Sequence, residues 1–143
     1  LKLLFLGDVV GKPGRQAVRR LVPRLIAREG LDLVVANAEN SAAGIGVTPE
    51  SAEELLGAEV DLLTSGNHIW SKREIYPYLE RADGKLIRPA NYPPGAPGRG
   101  RAIVETPDGR KLGVLNLEGR VFMKSIEDPF RVAEAEVAAL RAE

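Results

Sequence analysis

The chain has 143 residues and no cysteine, which excludes disulfide scaffolds, thiolate metal sites and a cysteine nucleophile together. Twenty basic residues balance twenty acidic ones, so no net charge draws the protein to nucleic acid or to an anionic membrane, and partners must be argued from local chemistry. The length suits one domain over residues 1–143. The apolar run at 3–6 is cut by Gly7 and Asp8, too short for a secretory signal core of about 7–15 apolar residues, and a cytoplasmic protein is expected.

In chain order, residues 2–6 form a short apolar run that meets glycine and then polar residues, the pattern of a buried strand leaving a parallel sheet. From Pro13 onward Val18, Leu21, Val22, Leu25 and Ile26 recur at helical spacing, with Pro23 expected to bend or split the helix and Gly30 to end it. A second apolar run at 31–36 closes a βαβ unit of roughly 30 residues. Thr48 and Pro49 mark the cap and first position of the next helix, with Glu50 in its first turn. A third strand is expected at 60–64, followed by a helical segment opened by a Ser71–Glu74 capping box and shortened by Pro77.

Residues 88–100, with four prolines and three glycines, read as a long irregular loop. Strand-like runs at 101–105 and 111–117 flank Pro107-Asp108-Gly109, a hairpin turn signal. Phe130, Ala133, Val137 and Leu140 mark one face of a last helix. The order βαβαβα, then hairpin and helix, predicts an α/β fold with a mixed sheet.

Each of the first three strands runs into a polar cluster: Gly7-Asp8, then Asn37-Ala38-Glu39-Asn40, then Ser65-Gly66-Asn67-His68. In βαβ units of the usual hand these clusters leave the same edge of the sheet, where ligand sites of open α/β folds form. Two carboxylates, carboxamides and one imidazole, without a thiolate, suit manganese, iron or zinc. Two divalent ions would bring about +4, offset by Asp8, Glu39 and a hydroxide to roughly +1, a field that attracts phosphate.

The strings LFLGDVVGKPGR (4–15), ANAENSAAGIG (36–46), SGNHIW (65–70) and RPANYP (88–93) resemble the calcineurin-like metallophosphoesterase superfamily, in its YmdB-like branch of bacterial 2′,3′-cyclic-nucleotide phosphodiesterases. The resemblance implies a mixed β-sheet sandwich flanked by helices, and a metal-dependent phosphodiesterase with a binuclear centre of two divalent ions, iron or manganese ahead of zinc or magnesium. By that resemblance Glu39 bridges the metals, Asp8 and Asn40 complete one side, Asn67 binds the second ion and His68, the catalytic residue, lies beside the substrate phosphate. Val10 stands where the superfamily's commoner pattern has histidine, and Glu39 where it has aspartate, both in keeping with the branch. The superfamily also takes histidines from C-terminal motifs, whereas this chain has only His68; the chain is therefore expected to be the N-terminal portion of a longer enzyme. A nucleotide-sized substrate and a homo-oligomer are the expected partners, without membrane or stable nucleic-acid binding.

The alternative is a regulatory or nucleotide-binding module of the same fold without turnover. Gly7 to Gly14 is not a P-loop, because three residues separate the glycines and Pro13 stands at the Ser/Thr position. Lys12, Arg15, Arg19, Arg20, Arg24 and Arg28 read as a solvated helix face before a polyanion track. Arg88, Asn91 and Tyr92 are substrate contacts, closures of the core or subunit contacts, and Asn116 and Glu118 carry no assignment.

Overall fold

Strand β1 (Leu3–Leu6), β2 (Leu33–Asn37) and β3 (Leu62–Thr64) form a parallel sheet in the order β1-β2-β3 in the computed structural model, which describes all 143 residues. Leu3 pairs with Leu33 and Val35 with Leu62, so β2 is central and its first four residues are buried. Burial on both faces explains why β2 reads as a continuous apolar run and not as an alternation.

On one face, Val34, Ala36 and Leu63 join Val18 and Val22 of helix α1 (Gly11–Glu29) and Ala52 and Leu55 of α2 (Pro49–Leu56) in the main core. On the other, Val35, Leu62 and Ile87 meet Ala102, Val104, Leu112 and Val114 from the antiparallel hairpin β4 (Arg101–Glu105) and β5 (Lys111–Leu115). The layers are thus helices, parallel sheet and hairpin, the α/β sandwich expected. The parallel and antiparallel strands form two sheets and not one mixed sheet.

Several elements depart from their sequence signals. Helix α1 runs unbroken through Pro23, since a proline removes one backbone donor and the helix tolerates the loss away from its buried stripe of Val18 and Val22. The Ser71–Glu74 capping box does not form; two 3-10 turns, Asn67–Ser71 and Arg73–Ile75, lead into a single helical turn, α3 (Tyr76–Leu79), and no side chain caps them. The real capping box is at α2, where Thr48 accepts from Ser51 N and the Ser51 hydroxyl accepts from Thr48 N. Gly30 ends α1 in the left-handed conformation, as its position predicted.

Helix α4 (Pro129–Leu140) is capped by Asp128, but Phe130 is 80% exposed and none of the helix is buried. Of its apolar stripe, Leu140 packs against Gly113 of β5 while Phe130 and Val137 are exposed, as are Leu3 and Phe5 on the edge strand β1. No helix is long and apolar enough to cross a membrane.

Candidate active site

Parallel pairing brings the ends of β1, β2 and β3 to one edge, and backbone bonds extend the ladder past the strands. Val9 N donates to Asn37 O at 2.9 Å, Gly11 N to Asn40 O at 2.8 Å and Ala38 N to Thr64 O at 2.9 Å. The three polar clusters are thereby fixed beside one another before any side chain is considered.

Four of the five predicted side chains form one connected chain. His68 Nδ1 donates to Asn40 Oδ1 at 2.6 Å, and Asn40 Nδ2 donates to Asp8 Oδ1 at 2.7 Å. The same Nδ1 lies 3.8 Å from Glu39 Oε2, and the His68 backbone N–H donates to that oxygen at 3.3 Å. Asn37 supports Glu39 twice, through Nδ2 to Oε1 and through Oδ1 from the Glu39 N–H, both at 3.2 Å. Asn67 is exposed beside His68 on the 3-10 turn that opens at Gly66.

Two backbone features serve this arrangement. Asp8 has φ of +32°, a conformation that side-chain-bearing residues seldom adopt and that tends to persist at functional sites. A side chain at Gly66 would collide with both carboxylate oxygens of Glu39; glycine there lets the carboxylate lie flat against the β3 end.

The donor chemistry fits hard divalent cations. No lysine or arginine pairs with Asp8 or Glu39, and the Glu39 side chain is only 18% exposed, so its charge lacks a strong counter-ion within the chain. The shell is open: Asn40 stands between Asp8 and His68, and no three histidine, aspartate or glutamate side chains converge to grip one ion.

A family description, "YmdB-like protein", matches residues 4–143. The chain belongs to the YmdB-like family. It is 40% identical over 138 residues to the 2′,3′-cyclic-nucleotide 2′-phosphodiesterase of Bacillus subtilis (96% of this chain, 52% of that protein). It is 34% identical over 137 residues to a putative phosphatase/phosphodiesterase of Mycoplasma genitalium (92% and 46%). A crystal structure of a hypothetical protein from Thermus thermophilus superposes with a TM-score of 0.89 at 40% identity, over 96% of this chain and 53% of that one. A novel phosphatase of Mycoplasma pneumoniae gives 0.87 at 30%, over 97% and 51%. The chain spans about half the length of the curated relatives it matches.

Elsewhere in this YmdB-like chain lie residues whose roles the sequence left open. Arg88 is buried and its guanidinium donates to the carbonyls of Pro89, Ala96 and Pro97, folding the Pro/Gly loop around itself. Burial lowers its pKa. Asn91, fully buried, donates to Glu118 O at 2.8 Å and Glu127 O at 3.1 Å and accepts from Glu118 N at 2.9 Å. Both residues close the core. Asn116 donates to Ser65 O at 2.7 Å, tying the hairpin to the β3 end. Tyr92 donates its hydroxyl to Glu118 Oε2 at 2.7 Å, and burial, reinforced by that bond, pushes its pKa up to about 12. Lys12, Arg19, Arg20 and Arg24 are exposed, while Arg15 pairs with Glu54 at 2.5 Å.

Proposed function

We propose that this chain is the N-terminal, metal-holding part of a cytoplasmic metal-dependent phosphodiesterase that hydrolyses 2′,3′-cyclic nucleotides. The observation that supports it is the chain Asp8–Asn40–His68–Glu39 at the carboxyl edge of the parallel sheet, with both carboxylates free of lysine and arginine partners. The 40% identity to a protein named for that activity in Bacillus subtilis supports the substrate class.

Asp8, Glu39, Asn40 and Asn67 are the proposed ligands, with iron or manganese ahead of zinc or magnesium for two ions. Divalent cations bound there would activate a water for in-line attack and neutralise the phosphoryl oxygens. The Asn40 carbonyl oxygen, with two lone pairs, serves His68 and retains capacity for a cation. Neutral Asn ligands preserve the positive field that an anionic substrate requires. His68 has Nδ1 committed to Asn40, which leaves Nε2 to protonate the leaving alkoxide. Homo-oligomerisation belongs to the same reading.

The test is hydrolysis of 2′,3′-cyclic AMP by the protein carrying this chain, after EDTA treatment and after readdition of Mn²⁺. Loss and recovery are expected, with recovery abolished by Glu39→Gln. Binding of 2′,3′-cyclic AMP without turnover under any divalent ion would instead establish the non-catalytic module.

A further inference from the structure

Twenty basic residues balance twenty acidic ones along the chain, but the fold does not spread them evenly. Helix α1 carries Lys12, Arg15, Arg19, Arg20, Arg24 and Arg28 and has no carboxylate before Glu29. Lys12, Gln16, Arg20, Arg24 and Arg28 stand four residues apart on one ridge of the helix, with Arg15 and Arg19 on the ridge beside it. Arg15 is paired with Glu54 and Arg28 with Glu29. Lys12, Arg19, Arg20 and Arg24 are exposed and enter no ion pair. Like charges one turn apart repel and destabilise a helix, and a surface that serves solubility alone intersperses both signs. Four unpaired cations on one side of α1 therefore call for an anion from outside the chain.

The row starts at the proposed site. Gly11 N donates to Asn40 O at 2.8 Å and Arg15 donates to Ser41 O, so the first turn of α1 is fastened to the loop that carries Glu39 and Asn40. From Lys12 to Arg24 the ridge runs about 18 Å, at roughly 1.5 Å per residue. Its first part borders a groove of about 870 Å³ lined by Lys12, Arg15, Arg19 and Arg20 of α1 and by Glu50 and Glu54 of α2. With Glu54 taken by Arg15, Glu50 is the one carboxylate of that groove outside an ion pair.

We propose that this ridge holds the phosphate backbone of a single-stranded oligoribonucleotide whose 3′ end enters the site. The proposal deepens the phosphodiesterase reading and rests on it for the position of the strand's end. A 2′,3′-cyclic phosphate forms on RNA when a 2′-hydroxyl oxygen bonds to the adjacent phosphorus and the P–O5′ bond breaks, the proton passing to the departing 5′-oxygen. The group so formed terminates a strand, and every further phosphate lies on its 5′ side. A row of cations leading away from the site meets those phosphates and leaves the bases unread, as backbone contacts do. A membrane does not suit this face, because the apolar side of α1, with Val18 and Val22, is buried in the core and has nothing to insert. The hold is weak and salt-sensitive, since the protein has no net charge to add to it, and so differs from stable nucleic-acid binding.

The test is fluorescence anisotropy of a 5′-fluorescein-labelled hexauridylate with a 3′-phosphate, titrated at low salt and in EDTA with the protein that carries this chain. Saturable binding is expected, with log affinity falling against log salt at a slope of about −2, roughly 0.7 for each of three phosphates. Arg20→Glu/Arg24→Glu, at exposed positions and with its thermal midpoint checked, is expected to bind at least tenfold more weakly. Arg131→Glu/Arg141→Glu makes the same charge change at exposed positions of α4 and its C-terminal end, and is expected to bind within about threefold of the parent. Equal weakening in the two double variants, or no saturable binding, overturns the proposal. Displacement of the RNA by polyglutamate or by phosphatidylserine vesicles as readily as by unlabelled RNA, charge for charge, also overturns it and assigns the ridge to an acidic protein or a membrane. The assay needs no turnover. Hydrolysis of bis(p-nitrophenyl) phosphate in Mn²⁺ without RNA binding sinks the ridge alone, and RNA binding without any hydrolysis sinks the enzyme reading alone.

Discussion

Asn40 is shared between Asp8 and His68: its carbonyl oxygen accepts from His68 Nδ1 at 2.6 Å while its amide nitrogen donates to Asp8 Oδ1 at 2.7 Å. Only a carboxamide does both at once, because alanine offers neither group and aspartate would set a carboxylate against the Asp8 carboxylate. Groups that orient a ligand or a catalytic imidazole are worth about 10–100-fold when removed. Asn40→Ala is therefore expected to lower kcat on 2′,3′-cyclic AMP by about that factor with the circular dichroism unchanged, and Asn40→Asp to be worse than Asn40→Ala. Unchanged kcat in both variants would show that the imidazole needs no such support.

Gly66→Ala separates stability from the site. The added methyl meets the end of the Glu39 side chain, which can swing, so the fold is expected to hold its thermal midpoint to within a few degrees. The displaced carboxylate should weaken Mn²⁺ binding at least tenfold by isothermal titration. Undiminished binding would remove Glu39 from the ligand set.

Asn91→Ala leaves three backbone groups without their buried partner, the carbonyls of Glu118 and Glu127 and the N–H of Glu118. At about 1–3 kcal/mol for an unmatched buried group, with partial relaxation, the expected loss is roughly 2–4 kcal/mol. Urea unfolding measures it, and a loss below about 0.5 kcal/mol, the ordinary size of a surface substitution's effect, would contradict the structural role.

Much of this architecture is legible in local sequence. Three apolar runs each ending in a polar cluster, the Thr48-Pro49 cap and the Pro107-Asp108-Gly109 turn each report a local conformational preference, and each led to the right element. The Ser71–Glu74 signal misled because the same residues lie beside the Asn67-His68 turn, where tertiary packing of Ile69 and Ile75 selects 3-10 geometry over a capped helix. Phe130 and Val137 marked a helix face correctly, yet periodicity cannot say what covers that face. Glu118 gave no local signal at all: its partners Asn91 and Tyr92 lie 27 and 26 residues away along the chain and reach it only through the folded loop.

Asp32 accepts from the Lys2 backbone N–H at 2.5 Å and from Arg110 at 2.6 Å, and these bonds, in that order, hold its carboxyl below the usual range. A depressed folded pKa gives stability that is present above the unfolded value of about 3.9 and is lost as pH falls through the folded value. The thermal midpoint is expected to drop on acidification below about pH 4, and Asp32→Asn to flatten part of that acid limb. An identical acid limb in the variant would assign it to other carboxylates.

The most direct measurement compares His68→Ala on two diesters in the protein that carries this chain: 2′,3′-cyclic AMP, with an alkoxide leaving group, and bis(p-nitrophenyl) phosphate, with a phenolate that needs little protonation. A positioned proton donor is worth roughly 10²–10⁴ in rate. The account predicts that the variant keeps its metal content, loses turnover on the cyclic nucleotide by about that factor, and loses far less on the phenolate. Equal losses on both substrates, or loss of the metals with the imidazole, would contradict it.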